Sequence, residues 1–398
     1  MEEIMLSAKE SNCDVLPVGD LKIIALPGCQ KLGQKVDNWI VKWRSWREDE
    51  RKSSSVPNYA EDTYLVRAAT PRFGTGEAKG QIFGSVRGDD VYILVDVCNY
   101  SLTYRINSYE NHMSPDDYYQ DLKRIVAAIG GKARRITVLM PYLYESRQDK
   151  RMARESLDCA AALQELTAMG VDAIITFDAH EPRVQNAIPL HGFDDYHCVY
   201  QFIKGIYKSA PDFEVSPDKL MVISPDEAGT RRAIYMANML GVDMGMFYKR
   251  RDYTKTVRGE HPIVAHEFLG ADLNGRDVII LDDMISSGDR ILEVAREMKS
   301  RNAGRIFMCA TFGLFTEGLE KFDTAYEEGL FNRLLTTNLI YHTPELLSKP
   351  YYTGCDMSKF IALIIDTMNH DGSVSSLLDP VDRINRLLSR HEKQPSAE

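Results

Sequence analysis

The segment Val278 to Asp289, VIILDDMISSGD, decides the predicted fold. Four apolar residues suited to a buried strand run directly into Asp282 and Asp283, and a loop of small residues follows. The backbone amides of the loop 286–289 would open a helix predicted over 288–302, and the start of a helix is suited to binding an anion. The two carboxylates could then accept hydrogen bonds from sugar hydroxyls or hold a metal ion. The same pattern also fits an Asx turn and a serine N-cap without any ligand.

Elsewhere, short apolar runs alternate with longer stretches of helical spacing, which is typical of βαβ units around a mostly parallel sheet. The predicted strands cover 21–26, 90–97, 135–142, 172–178, 219–225, 277–283, 305–312 and 333–338. The predicted helices cover 31–46, 115–129, 155–169, 194–208, 228–240, 288–302, 316–328 and 357–369. A break near 190–197 divides these elements into two halves. We therefore expect an α/β protein with two domains, each a mostly parallel sheet flanked by helices, with ligands bound beyond the carboxyl ends of the strands.

The composition narrows the possible functions. The chain has 398 residues, 44% of them apolar, which is enough for two domains with separate cores. No apolar run reaches the ~18 residues of a membrane span, and the first residues lack the pattern of a secretory signal. Seven scattered cysteines without a CxxC pair indicate neither a disulfide framework nor a zinc site. A net charge of -10 argues against nucleic-acid binding, so we expect a soluble cytoplasmic protein with no nucleic-acid or membrane partner.

Two further strand ends carry residues suited to a metal ion or a hydroxyl group. In SPDEAGTRR (224–232), Asp226 follows a strand and the arginines could meet an anion, although a capped helix start explains the segment nearly as well. In FDAHEP (177–182), Asp178 and His180 lie two positions apart, and an imidazole beside a carboxylate can ligate a divalent metal ion. A lone histidine is more often a structural residue. The metal hypothesis therefore depends on Asp226 reaching the same point.

Two segments concentrate positive charge. YLYESRQDKRMAR (142–154) places Arg147 and further cations after a predicted strand. Positive charge is unfavourable at a helix start, which favours an anionic ligand such as a nucleotide polyphosphate over a solvated helix start. YKRRDYTKTVRGEHP (248–262) has no periodicity and could be only a mobile basic surface loop. Its Lys249 and Arg251 are nevertheless the residue types that neutralise a transferring phosphoryl group.

Together and in this order, the motifs resemble those of the ribose-phosphate pyrophosphokinases, also called phosphoribosyl-pyrophosphate synthetases. The resemblance extends from near residue 20 to near residue 380. The motifs that carry it are RFGTGE (72–77), SVRGDDVYILVD (85–96), SRQDK (146–150), DAH (178–180), SPDEAGTRR (224–232), YKRR (248–251) and VIILDDMISSGD (278–289). The last motif is shared with all type I phosphoribosyltransferases, whereas the ordered set is far more specific.

The resemblance implies transfer of the β,γ-diphosphoryl group of ATP to the C1 hydroxyl of ribose 5-phosphate, with release of AMP and with Mg²⁺ as cofactor. It implies two phosphoribosyltransferase-like domains, a role in nucleotide biosynthesis and a homo-oligomer, either a hexamer or a dimer. We expect an N-terminal domain over 18–196 on the ATP side and a C-terminal domain over 197–350 with the ribose-phosphate site. C-terminal helices and a tail would cover 351–398.

The resemblance also assigns roles to individual residues. The catalytic pair, on a flexible loop that closes over ATP, would be Lys249 and Arg251. The metal site would use His180 and Asp226. The ATP-binding residues would be Phe73, Glu77, Arg147, Gln148 and Asp149. The ribose 5-phosphate site would use Asp282, Asp283, Ser286, Ser287 and Gly288.

The chain departs from the family pattern at three places: two lie inside these motifs, and the third lies at the end of the strand predicted over 305–312. Asp289 puts a negative charge where the sugar phosphate would bind, although Arg290 could compensate for it. Thr75 stands where the pattern has an aspartate, and Phe312 replaces an expected histidine. These changes indicate a divergent subgroup.

The chain is also longer than the usual family member, mainly near 45–60 and 100–115. The altered ribose-phosphate loop supports a second hypothesis, a non-catalytic regulatory homologue that acts through protein association. The retained Lys249 and Arg251 favour the active synthetase instead. A third hypothesis, a phosphoribosyltransferase that consumes the diphosphate, would explain only the motif at 278–289.

Overall fold

A computed structural model describes residues 16–51, 57–251 and 263–392. Its strands are β1 (Leu21–Ala25), β2 (Ala68–Ala69), β3 (Gln81–Ile82), β4 (Asp90–Leu94), β5 (Thr103–Ile106), β6 (Tyr109–His112), β7 (Arg135–Leu139), β8 (Ala173–Phe177), β9 (Gly192–Tyr196), β10 (Leu220–Ser224), β11 (Asp243–Arg251), β12 (Ile263–Leu269), β13 (Asp277–Ile285), β14 (Ile306–Gly313), β15 (Arg333–Thr337) and β16 (Tyr352–Cys355). Its α-helices are α1 (Gln30–Arg51), α2 (Pro115–Ile129), α3 (Asp158–Ala168), α4 (Val199–Ser209), α5 (Thr230–Leu240), α6 (Asp289–Ser300), α7 (Glu320–Glu327), α8 (Pro344–Ser348), α9 (Ser358–Asn369), α10 (Ser375–Leu378) and α11 (Val381–Glu392). A 3₁₀ helix covers Pro182–Ala187.

These elements form two compact units, and each unit is built from more than one stretch of the chain. The first unit runs to His197 and also contains Asn338–Tyr341 and Asp356–Asp379. The second contains Cys198–Thr337, His342–Cys355 and the chain from Pro380 onwards. The domain bounds expected from the sequence stay a prediction, because compactness does not test whether a segment folds independently.

The first unit is built on a parallel sheet of five strands in the order β1-β4-β7-β8-β9. Every residue of β4 and β8 is buried, as expected for central strands that are covered on both faces. Helix α2 shows how the sequence sets helix ends. Ser114 and Asp117 form a capping box, Pro115 takes the first helical position, and Gly130 ends the helix with a φ of 59°.

The second unit is built on seven strands in the order β12-β11-β10-β13-β14-β15-β16. Neighbouring strands are parallel except for β11 and β12, which are antiparallel. In β13 every residue after the first is buried. Because Ile223 of β10 lies opposite Ile280 of β13, the carboxyl ends of these two strands meet at the same edge of the sheet. That edge carries Asp226 and Asp282.

The predicted α/β architecture of two mostly parallel sheets flanked by helices is confirmed, and each predicted strand is present. The helix predicted over 194–208 is wrong at its start: Gly192–Tyr196 forms the edge strand β9, and the helix begins at Val199. The loop predicted from residue 248 is wrong for residues 248–251, which continue β11 and pair with β12. The rest of that predicted loop, 252–262, lies outside the described residues.

The two regions in which the chain is longer than expected are partly described. Helix α1 continues through the first part of the region near 45–60, while residues 52–56 lie outside the described residues. The region near 100–115 contains the antiparallel hairpin formed by β5 and β6.

The cysteines in the described residues, from Cys29 to Cys355, are free thiols. Within 16–51, 57–251 and 263–392, no helix is both long and apolar enough to cross a membrane. The compartment inferred from the sequence stays a prediction.

Candidate active site

The carboxyl edge of the second sheet brings together three acidic side chains. Asp226 follows β10, while Asp282 and Asp283 lie within β13 and are each only 3% exposed. Burial, and after it the adjacent charge of Asp283, raises the pKa of Asp282 to about 7. Arg232 Nη1 lies 3.9 Å from Asp283 Oδ1. Buried carboxylates need counter-charges or ligands, so this edge is the strongest candidate site in the second unit.

Arg290 joins the ends of the two strands. It lies in the first turn of α6; its Nη1 donates to Asp226 Oδ2, and its Nη2 donates to Asp282 Oδ2 at 2.8 Å. The remaining oxygens also accept hydrogen bonds. Asp226 Oδ1 accepts from the amide of Gly229 at 2.9 Å, and Asp282 Oδ1 accepts from the amide of Asp283 at 2.9 Å. All four carboxylate oxygens of Asp226 and Asp282 are therefore engaged.

The loop Ser286–Gly288, predicted to bind the ribose phosphate, leads from β13 into α6. Ser286 Oγ lies 3.3 Å from Thr316 Oγ1. Gly288 has a φ of 90°, and a Cβ at this position would overlap the ring of Phe322. The backbone therefore requires glycine here, and the loop turns sharply into the helix.

Asp289 begins α6 and points to partners outside the acidic cluster. It accepts a hydrogen bond from Ser287 Oγ at 2.8 Å, and it pairs with Lys321 Nζ at 2.6 Å. Both contacts lower the pKa of Asp289, and the contact with Lys321 has the larger effect. The expectation that Arg290 compensates for Asp289 is wrong, because the guanidinium bonds to Asp226 and Asp282 and Lys321 supplies the counter-charge.

The predicted catalytic pair, Lys249 and Arg251, belongs to the last residues of β11, whose backbone pairs with β12. The side chains of both residues lie outside the described part of the structure. The residue before Lys249 is Tyr248, whose OH donates to Glu267 Oε2 at 2.8 Å and so links β11 to β12. The catalytic role of Lys249 and Arg251 stays a prediction.

In the first unit, the end of β8 carries Asp178 and His180. Asp178 is buried and has a φ of 42°, and its Oδ1 lies 2.8 Å from Nδ1 of His197. The sequence pattern does not reveal His197, because it follows the polar edge strand β9, and only the parallel pairing of β8 with β9 brings the two strand ends together. His180 is half-buried.

The first part of the predicted ATP-binding set is a tight turn. The amide of Phe73 donates to the carbonyl of Glu77 at 2.7 Å. Thr75 Oγ1 donates to Glu77 Oε2 at 3.0 Å, so the residue that replaces the expected aspartate orients the glutamate instead. The side chain of Phe73 is 54% exposed.

The hairpin of β5 and β6 packs against this turn. The amide of Asn107 donates to the carbonyl of Gly74 at 3.1 Å. Gly76 has a φ of 92°, and a Cβ there would lie 2.8 Å from Cδ1 of Ile106. Beside the turn is a pocket of about 530 Å³ whose lining includes Phe73 and Tyr104. The added hairpin therefore forms one wall of the predicted nucleotide region.

The second part of the set, Arg147, Gln148 and Asp149, follows β7. Gln148 is held by two contacts: its amide donates to the carbonyl of Glu145 at 2.9 Å, and its Nε2 donates to the carbonyl of Ser156 at 2.8 Å. Arg147 is exposed, and Asp149 is half-buried. The ATP-binding roles of these residues stay predictions.

Comparison with known families matches both units. One family model, described as the N-terminal domain of ribose phosphate pyrophosphokinase, matches residues 21–170, and a phosphoribosyl transferase domain model matches residues 199–331. The chain belongs to the ribose-phosphate pyrophosphokinase family. The family's two phosphoribosyltransferase-type domains are therefore present in the predicted order.

Individual pyrophosphokinases support the same placement. Ribose-phosphate pyrophosphokinase from Pasteurella multocida is 28% identical over 320 residues, which is 79% of this chain and 91% of the relative. The enzyme of that name from Shewanella oneidensis is 28% identical over 321 residues. A crystal structure of phosphoribosylpyrophosphate synthetase from Mycobacterium smegmatis superimposes with a TM-score of 0.67 and 20% identity, covering 89% of this chain and 100% of that one. This last likeness shows a shared fold.

A ribose-phosphate pyrophosphokinase is expected to use Mg²⁺, but the predicted ligands do not form a metal site within either unit. His180 belongs to the first unit and Asp226 to the second. Among the residues the structure describes, no group of three or more His, Cys, Asp or Glu side chains could hold a metal ion. The oxygens of Asp226 and Asp282 already accept from Arg290 and from backbone amides. The metal role of His180 and Asp226 stays a prediction.

Proposed function

We propose that this chain is an active ribose-phosphate pyrophosphokinase, which converts ATP and ribose 5-phosphate into phosphoribosyl pyrophosphate and AMP. The observation that carries the proposal is the pair of buried carboxylates, Asp282 and Asp283, at the carboxyl edge of the second sheet. They lie in a chain that also has the family's N-terminal domain. Buried acceptors at such an edge suit the hydroxyl groups of a ribose.

The reaction forms a bond between the C1 oxygen of ribose 5-phosphate and the β-phosphorus of ATP. It breaks the bond between that phosphorus and the oxygen bridging to the α-phosphate, which leaves with AMP. Because no protein nucleophile is needed, alignment and charge neutralisation lower the barrier. In this proposal Asp282 and Asp283 orient the sugar, the amides of 286–288 receive its phosphate, and Lys249 and Arg251 neutralise the transferring group.

The first unit would bind the nucleotide. The exposed ring of Phe73 is suited to stacking on the adenine base, and Glu77, held by Thr75, can accept a hydrogen bond from the base or the ribose. The exposed side chain of Arg147 would meet the polyphosphate, with Gln148 and Asp149 completing the site.

The decisive experiment measures AMP released from magnesium–ATP by the purified chain, with and without ribose 5-phosphate, while ³¹P NMR identifies the product. We expect AMP release that depends on ribose 5-phosphate and matches phosphoribosyl pyrophosphate in amount. Folded protein that releases no AMP at any tested phosphate or nucleotide concentration would contradict the proposal.

Two matched lysine variants test the catalytic assignment. Lys249→Ala should lower kcat by orders of magnitude and leave the KM for ribose 5-phosphate nearly unchanged, because the side chain is assigned to the transition state. Lys219→Ala removes the same charge from an exposed residue just before β10. This residue lies at the amino end of the strand, away from the carboxyl end that carries the site. This variant should match the unaltered chain. Equal kcat in the two variants would remove Lys249 from its role.

A second candidate function is a non-catalytic regulatory homologue. The observation that favours it is the altered loop: Arg290 bonds to Oδ2 of both Asp226 and Asp282, and Asp289 places a carboxylate at the start of α6. This candidate predicts no AMP from the chain alone and a changed rate when it is mixed with an active ribose-phosphate pyrophosphokinase. Mixing experiments at fixed enzyme concentration separate the two functions.

The resemblance also underlies our proposal that the chain forms a homo-oligomer, a dimer or a hexamer, in the cytoplasm. Neither nucleic acid nor a membrane is proposed as a partner. Light scattering coupled to size-exclusion chromatography should give a mass two or six times that of the 45.2 kDa chain. A monomer across the working concentration range would contradict the proposed assembly.

A further inference from the structure

The acidic cluster of the second unit already contains its own counter-charges. Three carboxylates, those of Asp226, Asp282 and Asp283, lie near two guanidinium groups, those of Arg290 and Arg232. Arg290 reaches two strands at once, because its Nη1 bonds to Asp226 and its Nη2 bonds to Asp282. A guanidinium keeps its charge at every relevant pH and presents its donors in a fixed planar fork. It is therefore a permanent cation in this position.

We propose that Arg290 is a positioning residue that takes the place of a divalent cation between Asp226 and Asp282. The inference rests on the assignment of this edge to the sugar half of the proposed active site. It means that the two carboxylates are held in place without a metal ion between them.

The contacts explain why a cation cannot simply be added. A divalent cation binds carboxylate oxygens directly, and each oxygen of Asp226 and Asp282 already accepts a hydrogen bond. A cation placed between the two carboxylates would lie beside the guanidinium that already bridges them, and the two positive charges would repel each other. Removing Arg290 reverses the situation, because it leaves two neighbouring carboxylates, one of them buried, without the charge that holds them together.

The test uses Mn²⁺ alone as the probe, with the full chain and no nucleotide or sugar. Free Mn²⁺ is followed by electron paramagnetic resonance during titration of three proteins: the unaltered chain, Arg290→Thr and the control Arg296→Thr. Arg296 is exposed on the same helix, α6, so the control makes the same charge change away from the strand ends. We expect Arg290→Thr to gain one Mn²⁺ per chain, bound about tenfold or more tighter than the background of the unaltered chain.

The gained site should also stabilise the variant. Mn²⁺ should raise the melting temperature of Arg290→Thr and leave those of the unaltered chain and Arg296→Thr unchanged, because a ligand stabilises only the protein that binds it. If Arg290→Thr binds no more Mn²⁺ than Arg296→Thr does, the proposal is overturned. A gain of the same size in both variants also overturns it, since the effect would then be one of net charge.

A further comparison does not depend on the folding of Arg290→Thr. Asp226→Asn in the otherwise unaltered chain should bind as much Mn²⁺ as the unaltered chain does, since Arg290 already excludes the metal there. Loss of one bound Mn²⁺ in Asp226→Asn would show that the metal shares this site and would overturn the proposal. All of these readouts are independent of AMP release. A chain without activity can still confirm the role of Arg290, and an active chain can still refute it.

Discussion

Replacing Asp366 by asparagine should strongly destabilise the first unit, because this carboxylate is the counter-ion of two buried arginines. Arg44 Nε donates to Asp366 Oδ1 at 2.9 Å, and Arg47 Nη2 donates to Asp366 Oδ2 at 2.5 Å. The side chains of Arg44, Arg47 and Asp366 are 1%, 4% and 0% exposed. Burial raises the pKa of Asp366, but the charges of Arg44 and Arg47 outweigh it and hold that pKa well below its usual range.

The size of the effect follows from the lost negative charge. Asparagine removes the carboxylate that the two buried guanidinium groups share, and removing one partner of a buried ion pair costs about 3–5 kcal/mol. Arg44 Nη2 also bonds to Asn369 Oδ1 at 2.7 Å, and Arg47 Nη1 bonds to Tyr59 OH at 2.9 Å. These neutral acceptors satisfy hydrogen bonds but do not replace the charge. The loss is a large part of the ~5–15 kcal/mol that stabilises a typical domain.

The assay is urea unfolding followed by tryptophan fluorescence. All three tryptophans of the chain, Trp39, Trp43 and Trp46, lie in α1, so the signal reports on the first unit. The control is Lys35→Gln, which breaks an ion pair with Asp356 of 2.7 Å whose side chains are 53% and 51% exposed. An exposed pair of this kind contributes ~1 kcal/mol or less. If Asp366→Asn loses no more unfolding free energy than Lys35→Gln, the reasoning about the buried network is refuted.

Three further predictions concern pH, the ribose-phosphate loop and the hairpin. Burial lowers the pKa of His342 to about 4. The imidazole therefore stays neutral in the folded protein, whereas in the unfolded chain it takes up a proton below pH ~6.5. His342 should therefore cost the second unit about 2 kcal/mol between pH 7 and pH 5, whereas Asp282, whose pKa is raised to about 7, contributes with the opposite sign. Over this pH range the unaltered chain should accordingly lose about 2 kcal/mol of stability relative to His342→Gln, measured from the hydrogen-exchange protection of β15. Gly288→Ala should lower stability by ~1–3 kcal/mol in thermal unfolding, because the residue has a φ of 90° and faces Phe322. Ile106→Ala should raise the KM for ATP several-fold and leave the KM for ribose 5-phosphate unchanged, because Ile106 supports the turn at Gly76; an equal rise in both would contradict this.

The central strands of both sheets could be predicted because each is a buried apolar run between turn residues, and β4, β8 and β10 differ from their predicted ranges only at the ends. The edge strand β9 was not predicted. Its sequence, GFDDY, is too polar to look like a buried strand, and its pairing with β8 is a tertiary event. The antiparallel strand β12 was missed for a similar reason, since it lies at the other sheet's edge.

The candidate site was predictable in its residues but not in its pairings. The positions of Asp226 and Asp282 at strand ends follow from the sequence pattern alone. The bonds from Arg290 do not, because they require the register of β10 against β13. The buried pair of Arg44 and Asp366 is even harder to predict from the sequence, because its partners are 322 positions apart along the chain.

The two unusual charges of the ribose-phosphate loop do not have the same consequence. Asp289 is paired with Lys321 at the surface, and an exposed pair is weak, so an incoming phosphate could take over the lysine at little cost. Arg290 bonds to the nearly buried Asp282 as well as to Asp226, and releasing that contact removes a hydrogen-bonded counter-charge from a buried carboxyl group. Asp289 is therefore compatible with a sugar-phosphate site, whereas Arg290 commits the same site to working without its own metal ion. The AMP assay examines the first of these conclusions and the Mn²⁺ titration examines the second.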